Sequence, residues 1–147
     1  MKIVYTLPDG STAIVHPAPK EQVAKVLPAV AAMTDQEYIQ FIRNRDVPKD
    51  AANVSIVPAA IIPEDRSFRN AMKHDLTHDI DKCVAITQER LRVERAPLLD
   101  ALDAEFLKAL ETGKPTAAIV AEKNRLRDIT KLPKSTMTLD ELKALKP

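Results

Sequence analysis

Residues 79–113 read DIDKCVAITQERLRVERAPLLDALDAEFLKALETG, and the fold turns on whether this stretch is one helix. Ile80, Val84, Thr87 and Leu91 recur at helical spacing, and Leu98, Leu99, Leu102, Phe106 and Leu110 continue the pattern. Leu, Ala, Glu, Lys and Arg dominate, and no glycine interrupts them before Gly113. Thr77 and Asp79, both N-cap types, stand just ahead of the run. Glu111-Thr112-Gly113 supplies the stop, with Gly113 at C′, where a left-handed backbone is needed. Pro97 sits inside the pattern. An interior proline removes a backbone donor and costs about 3 kcal/mol, so the spacing predicts one helix kinked near residues 93–97 rather than two helices.

Downstream, Pro115 suits the first turn of a second helix, with Ile119, Val120, Leu126 and Ile129 as its apolar side. The loop between the two is short enough to make them an antiparallel αα-hairpin. Pro133 ends the second helix. Thr138-Leu139-Asp140-Glu141 has the form of a capping box and starts a last turn or two carrying Leu142 and Leu145. A two-helix hairpin has limited means of burying its own stripe. That stripe must pack on the rest of the chain, on a second copy or on another protein, and apolar surface left over marks an interaction site.

Upstream, Ile3-Val4-Tyr5 and Ala13-Ile14-Val15 flank Leu7-Pro8-Asp9-Gly10, a hairpin built on the Asp-Gly turn signal. A helix is expected near Lys20, with Val23, Val26 and Leu27 as its stripe and Pro28 as its limit. Thr34-Asp35-Gln36-Glu37 is a second capping box, opening a helix that presents Tyr38, Ile39, Phe41 and Ile42 and stops before Pro48. Asn53–Val57 reads as a third strand. Residues 59–65 look like a connector, after which Asp65 is expected to cap a short helix over RSFRNAMKH. The fold class is therefore α+β: a small N-terminal antiparallel sheet with helices over residues 1–63, then a long α-helical hairpin over residues 64–147.

Composition narrows function by exclusion. The chain has 22 Lys+Arg against 21 Asp+Glu, without the basic excess of a protein that lives on phosphate contacts, so no nucleic-acid partner is expected. No apolar run approaches a membrane span. The opening MKIVYTLPDG lacks the apolar stretch of a signal peptide, which makes the cytoplasm the expected compartment. One cysteine, Cys83, rules out an internal disulfide framework. Two glycines cannot build a Gly-rich phosphate loop, and no cofactor is expected.

The stretch KHDLTHDIDKC (73–83) carries the one cluster with metal-ligand chemistry. His74 and His78 would share a face on an unbroken helix and could both bind zinc. A helix start between them destroys that alignment, and the reading favoured is a polar turn followed by a capped helix. No metal site is assigned. A metal-dependent enzyme using His74 and His78, with Cys83 or an aspartate, stands as an alternative. Arg66, Arg69 and Asn70 are a further polar set that could tether the hairpin or bind a ligand.

The second half contains two elements, R-x-x-R-x-x-L-L-x-x-x-D at Arg92, Arg95, Leu98, Leu99 and Asp103, and L-R-D-I-T-x-x-P at Leu126-Arg127-Asp128-Ile129-Thr130 with Pro133. Over residues 64–133 the chain resembles tailed-phage proteins grouped as tail assembly chaperones and tail fibre assembly proteins, which end in a helical hairpin. That resemblance implies a non-enzymatic assembly protein of the host cytoplasm whose partner is a phage tail or tail-fibre protein. Leu98, Leu99, Leu102 and Phe106 are then the candidate anchors, with Arg92, Arg95, Arg127 and Asp128 as a polar rim, because large apolar anchors ringed by charge are what a specific interface requires. The alternative within the same setting is a virion structural component (a tail, neck or capsid accessory subunit) whose helices form a homo-oligomer.

Overall fold

Lys2–Thr6 (β1), Thr12–Val15 (β2) and Ala52–Val57 (β3) form an antiparallel sheet in the order β2-β1-β3. In the computed structural model, which describes all 147 residues, β1 and β2 are joined by the Asp-Gly turn. Gly10 adopts φ +80°, and the Asp9 carboxylate accepts from both the amide and the hydroxyl of Ser11. On β3 the register slips between Val4 and Thr6, beside Asn53 at φ +51°, a left-handed conformation that asparagine tolerates better than most residues.

Strand alternation sends Ile3, Val15, Val54 and Ile56 to one face. There they pack with Val30, Tyr38, Ile39 and Ile42 into the core of the N-terminal unit. The latter three come from α2, Asp35–Asp46, whose start is fixed by the expected capping box: Glu37 N–H donates to Thr34 Oγ1, and the Thr34 amide donates back to the Glu37 carboxylate at 2.7 Å. The helix ends as Val47, before Pro48, turns extended. The Tyr38 hydroxyl donates to the Ala18 carbonyl at 2.8 Å, anchoring the segment that leads into α1, Lys20–Ala24. That helix is only five residues long. Val23 reaches the core, but Val26 and Leu27 fall beyond the helix end and are exposed, because Leu27 precedes Pro28 and takes an extended conformation.

The opposite sheet face carries Val4, fully buried between Ile14 and Ser55. Residues 64–78 belong with this unit: the Ser55 hydroxyl and His74 Nε2 are 3.0 Å apart. No α-helix forms over RSFRNAMKH, only a 3₁₀ turn at Arg69–Ala71. Asp65 accepts from the Ser67 amide two residues on, a local turn that competes with helix entry. The chain accordingly divides at Met1–His78 and Asp79–Pro147. That point coincides with the change of composition at Asp79 and lies later than the connector at 63/64.

The second unit is helical: α3 (Ile80–Glu111), α4 (Ala117–Asp128), a 3₁₀ turn (Ile129–Lys131) and α5 (Leu139–Ala144). With the N-terminal sheet, this makes the protein α+β. No helix is long and apolar enough to cross a membrane.

Candidate partner-binding site on the helical hairpin

Asp79 caps α3, its carboxylate accepting from the Lys82 amide at 3.2 Å. The helix then runs unbroken through Pro97. Tolerance of that proline follows from where it lies. Val93, whose carbonyl loses its donor to Pro97, is 66% exposed, and Pro97 is exposed too, so the orphaned oxygen sits on the side that water can reach. The far end closes as the glycine required. Thr112 is the C-cap, Gly113 follows at φ +64°, and the Lys114 amide donates to Ala109 O while the Gly113 amide donates to Leu110 O. Those two bonds are the Schellman pair.

Within α3 the buried residues are Cys83, Thr87, Leu91 and Ala109. The first three recur every four residues. Thr87 keeps its buried hydroxyl satisfied inside its own helix by donating to Cys83 O at 2.9 Å. Burial, with the Asp79 carboxylate second, pushes the Cys83 thiol pKa up, which makes it a packing residue rather than a ready nucleophile. Leu126, Ile129 and Leu142 supply the buried side chains from the shorter elements.

Two arginines of α3 tie these elements down. Arg90 Nη2 donates to Leu142 O and Leu145 O, both at 3.0 Å, and so serves the carbonyls that α5 leaves unpaired at its end. Arg95 Nη1 donates to Leu126 O at 3.2 Å and Arg127 O at 2.6 Å, and lies 3.4 Å from the Thr130 hydroxyl. A cation at a helix C-terminus also meets the negative end of the macrodipole. Farther along, Lys123 of α4 pairs with Asp103 and lies 5.0 Å over the Phe106 ring, with only 13% of its side chain exposed. The two sequence elements quoted above therefore touch: Arg95 of the first holds Leu126, Arg127 and Thr130 of the second.

The candidate interface residues separate by this geometry. Leu98 is 44% exposed, while Leu99, Leu102 and Phe106 are half-buried in the hairpin. Arg95 is committed to the α4 terminus. Arg92 pairs with Glu89 within α3 at 3.0 Å, Arg127 donates to the Asn124 side chain, and Asp128 pairs with Lys131; these three are surface groups. The sequence gives no sign of Leu107, of Leu110 as a surface residue or of Lys123, and it reads Arg90, Arg92 and Arg95 with Glu89 and Glu94 as a salt-bridged exposed face, without the carbonyl contacts of Arg90 and Arg95. Leu107 and Leu110 are 60% and 55% exposed, and Val120 of α4 is 40% exposed. Leu99, Phe106 and Leu110 follow one another at spacings of seven and four, which keeps them along one side of α3, with Leu107 beside them. Arg90 has the local i,i+4 partner Glu94, but no local spacing signals the carbonyls it reaches at the end of α5 or the pairing of Lys123 with Asp103, because those partners lie on other elements.

The histidine cluster resolves into a turn. Met72 and His78 form an isolated antiparallel bridge, Leu76 takes φ +65°, and Asp75 accepts from both the amide and hydroxyl of Thr77. Those two bonds hold the Asp75 carboxyl below its ordinary pKa. The helix begins only at Ile80, so His74 and His78 never share a helical face, and no group of three potential metal ligands comes together. His74 Nδ1 is buried without a partner. A ring that donates from Nε2 to Ser55 and leaves Nδ1 as an unused acceptor avoids a buried orphan N–H, and this is the tautomer the geometry favours.

No family model matches the chain, and neither a curated protein nor a solved structure does.

Proposed function

We propose that this protein is a non-enzymatic assembly factor of a tailed phage, holding a tail or tail-fibre protein through the outer half of its helical hairpin. The observation that carries the reading is the change in burial along α3. Cys83, Thr87 and Leu91 are buried, whereas beyond Leu91 only Ala109 is, and Leu98, Leu107 and Leu110 remain 44–60% exposed with Val120 nearby in sequence on the returning helix. Leu107 and Leu110 are neighbours on the helix surface while Leu98 faces another way, and a solvated leucine pair of this kind suits a partner's apolar surface better than water. The inner half is tied by Arg90 and Arg95 to backbone carbonyls, which gives the outer half a rigid base. The phage assignment rests on the resemblance of residues 64–133 to tail assembly chaperones and tail fibre assembly proteins. Such a factor acts in the host cytoplasm.

The test is co-expression of the tail and tail-fibre proteins encoded beside it, with and without this chain, and with a Leu107→Glu/Leu110→Glu variant. Expected is a soluble fibre or tail subunit that co-purifies with the native chain and is lost with the variant, while the variant's circular dichroism is unchanged. Mass spectrometry of purified particles supplies the second readout. A chaperone is absent from them, and a stoichiometric presence would replace this reading with that of a virion subunit. Failure of every candidate to be solubilised or bound would end it.

A further inference from the structure

A cleft of about 210 Å³ opens on the N-terminal unit beside the free edge of β2, lined by Thr12, Ile14, Arg66, Arg69 and Asn70 among others. β2 is an outer strand. The Leu7 amide donates to Ser11 O at 2.8 Å, which fixes the hydrogen-bond phase of the hairpin. With Tyr5 opposite Ala13 and Ile3 opposite Val15, antiparallel alternation turns the backbone groups of Ala13 and Val15 inward and those of Thr12 and Ile14 outward. No other strand or segment pairs with that outer edge.

The lining of this cleft carries charge of one sign: Arg66 and Arg69 supply it, and no carboxylate is among the lining residues. Lys2 lies across the sheet from the end of β2, next to His16. The His16 ring is pulled below its ordinary pKa, first by desolvation and then by the positive charges of Lys2 and Arg66. An edge strand with unused N–H groups, flanked by planar donors that fit carboxylates, is a template for strand addition by a chain of opposite charge.

We infer that the β2 edge docks an extended acidic peptide segment of a partner protein, which adds a strand along Thr12–Val15 and turns carboxylates at alternate positions toward Arg66 and Arg69. Backbone pairing supplies the register, and the two arginines select acidic over neutral sequences. This surface lies on the other structural unit from the hairpin leucines and does not depend on their role.

The test uses the full chain and a blocked eight-residue peptide alternating glutamate and threonine, with its glutamine–threonine counterpart, followed by backbone NMR shifts and titration. Expected are shifts centred on Thr12–Val15 and binding that weakens as salt is raised. Arg66→Gln/Arg69→Gln should weaken binding about two- to thirtyfold, the range for two exposed charge pairs. N-methylation of alternate peptide amides should abolish binding in one phase of the alternation and spare it in the other. Equal binding of the glutamine peptide, affinity unchanged in the double variant, or indifference to N-methylation in both phases would overturn the inference. So would full competition by acetate or inorganic phosphate at the peptide's own concentration, since that would make the cleft a small-anion site. If the double variant fails to fold, the native chain's shift pattern and the N-methyl series still decide.

Discussion

Replacing Arg95 by methionine keeps most of the apolar stem and removes the guanidinium that closes α4. The native side chain donates through Nη1 to Leu126 O and Arg127 O. Hydrogen bonds to a charged group contribute about 1.5–3 kcal/mol when buried. Arg95 is half-exposed, which moves the expectation toward the lower part of that range, and the favourable interaction with the helix end is already counted in the same contacts. A loss of about 1–2 kcal/mol follows. Because 1.4 kcal/mol is a factor of ten in an opening equilibrium, amides from Arg127 to Leu132 should exchange about five- to thirtyfold faster in hydrogen exchange. Amides in α2 should be unaffected. Arg92→Met is the matched control: its exposed pair with Glu89 is worth under about 0.5 kcal/mol. Identical exchange in the two variants, within twofold of the native chain, would refute the assignment of Arg95 as the tie that holds the end of α4.

Three further outcomes are expected. Leu142→Ala, at a fully buried position, should cost about 2–5 kcal/mol in urea unfolding followed by circular dichroism, far more than truncating the exposed Leu107. Glu141→Gln should lower the melting temperature at neutral pH. Hydrogen bonds from the Thr138 amide and then its hydroxyl hold the Glu141 carboxyl below its ordinary pKa, so the stabilisation is full above the unfolded-state value of about 4.3 and is lost as pH falls through the lower folded value; a difference in melting temperature that persists undiminished at pH 2 would contradict this. The Cys83 thiol, fully buried and with its pKa raised, should resist a disulfide reagent at pH 8 in the folded chain and react once urea is added; rapid labelling of the native protein would show the site is open.

The parts of the fold that could be read from the chain are those set by neighbours in sequence. Both capping boxes, the Asp-Gly hairpin, the left-handed Gly113 and the long period from Ile80 to Leu110 each depend on residues a few positions apart, and each acts locally. The 66–74 segment forms no α-helix because Asp65 serves a turn as readily as a cap. The α1 stripe ends before Val26 and Leu27, since Pro28 pulls Leu27 out of helical geometry. On the hairpin, Arg95 is legible as an arginine on a helix surface but not as a ligand of carbonyls 31 and 32 residues away. Leu110 belongs to the same helical repeat as Leu102, and nothing in the sequence tells that Leu102 is half-buried while Leu110 is 55% exposed.

Arg90 grips α5 through the main-chain oxygens of Leu142 and Leu145. A clasp on peptide oxygens does not read side-chain identity, so the solvent-facing letters of the tail, Ala144 and Lys146, are open to drift. Shortening the chain before Leu145, by contrast, removes an acceptor outright. At those two positions the segment is indifferent to spelling, while the main-chain oxygen of Leu145 has to be there.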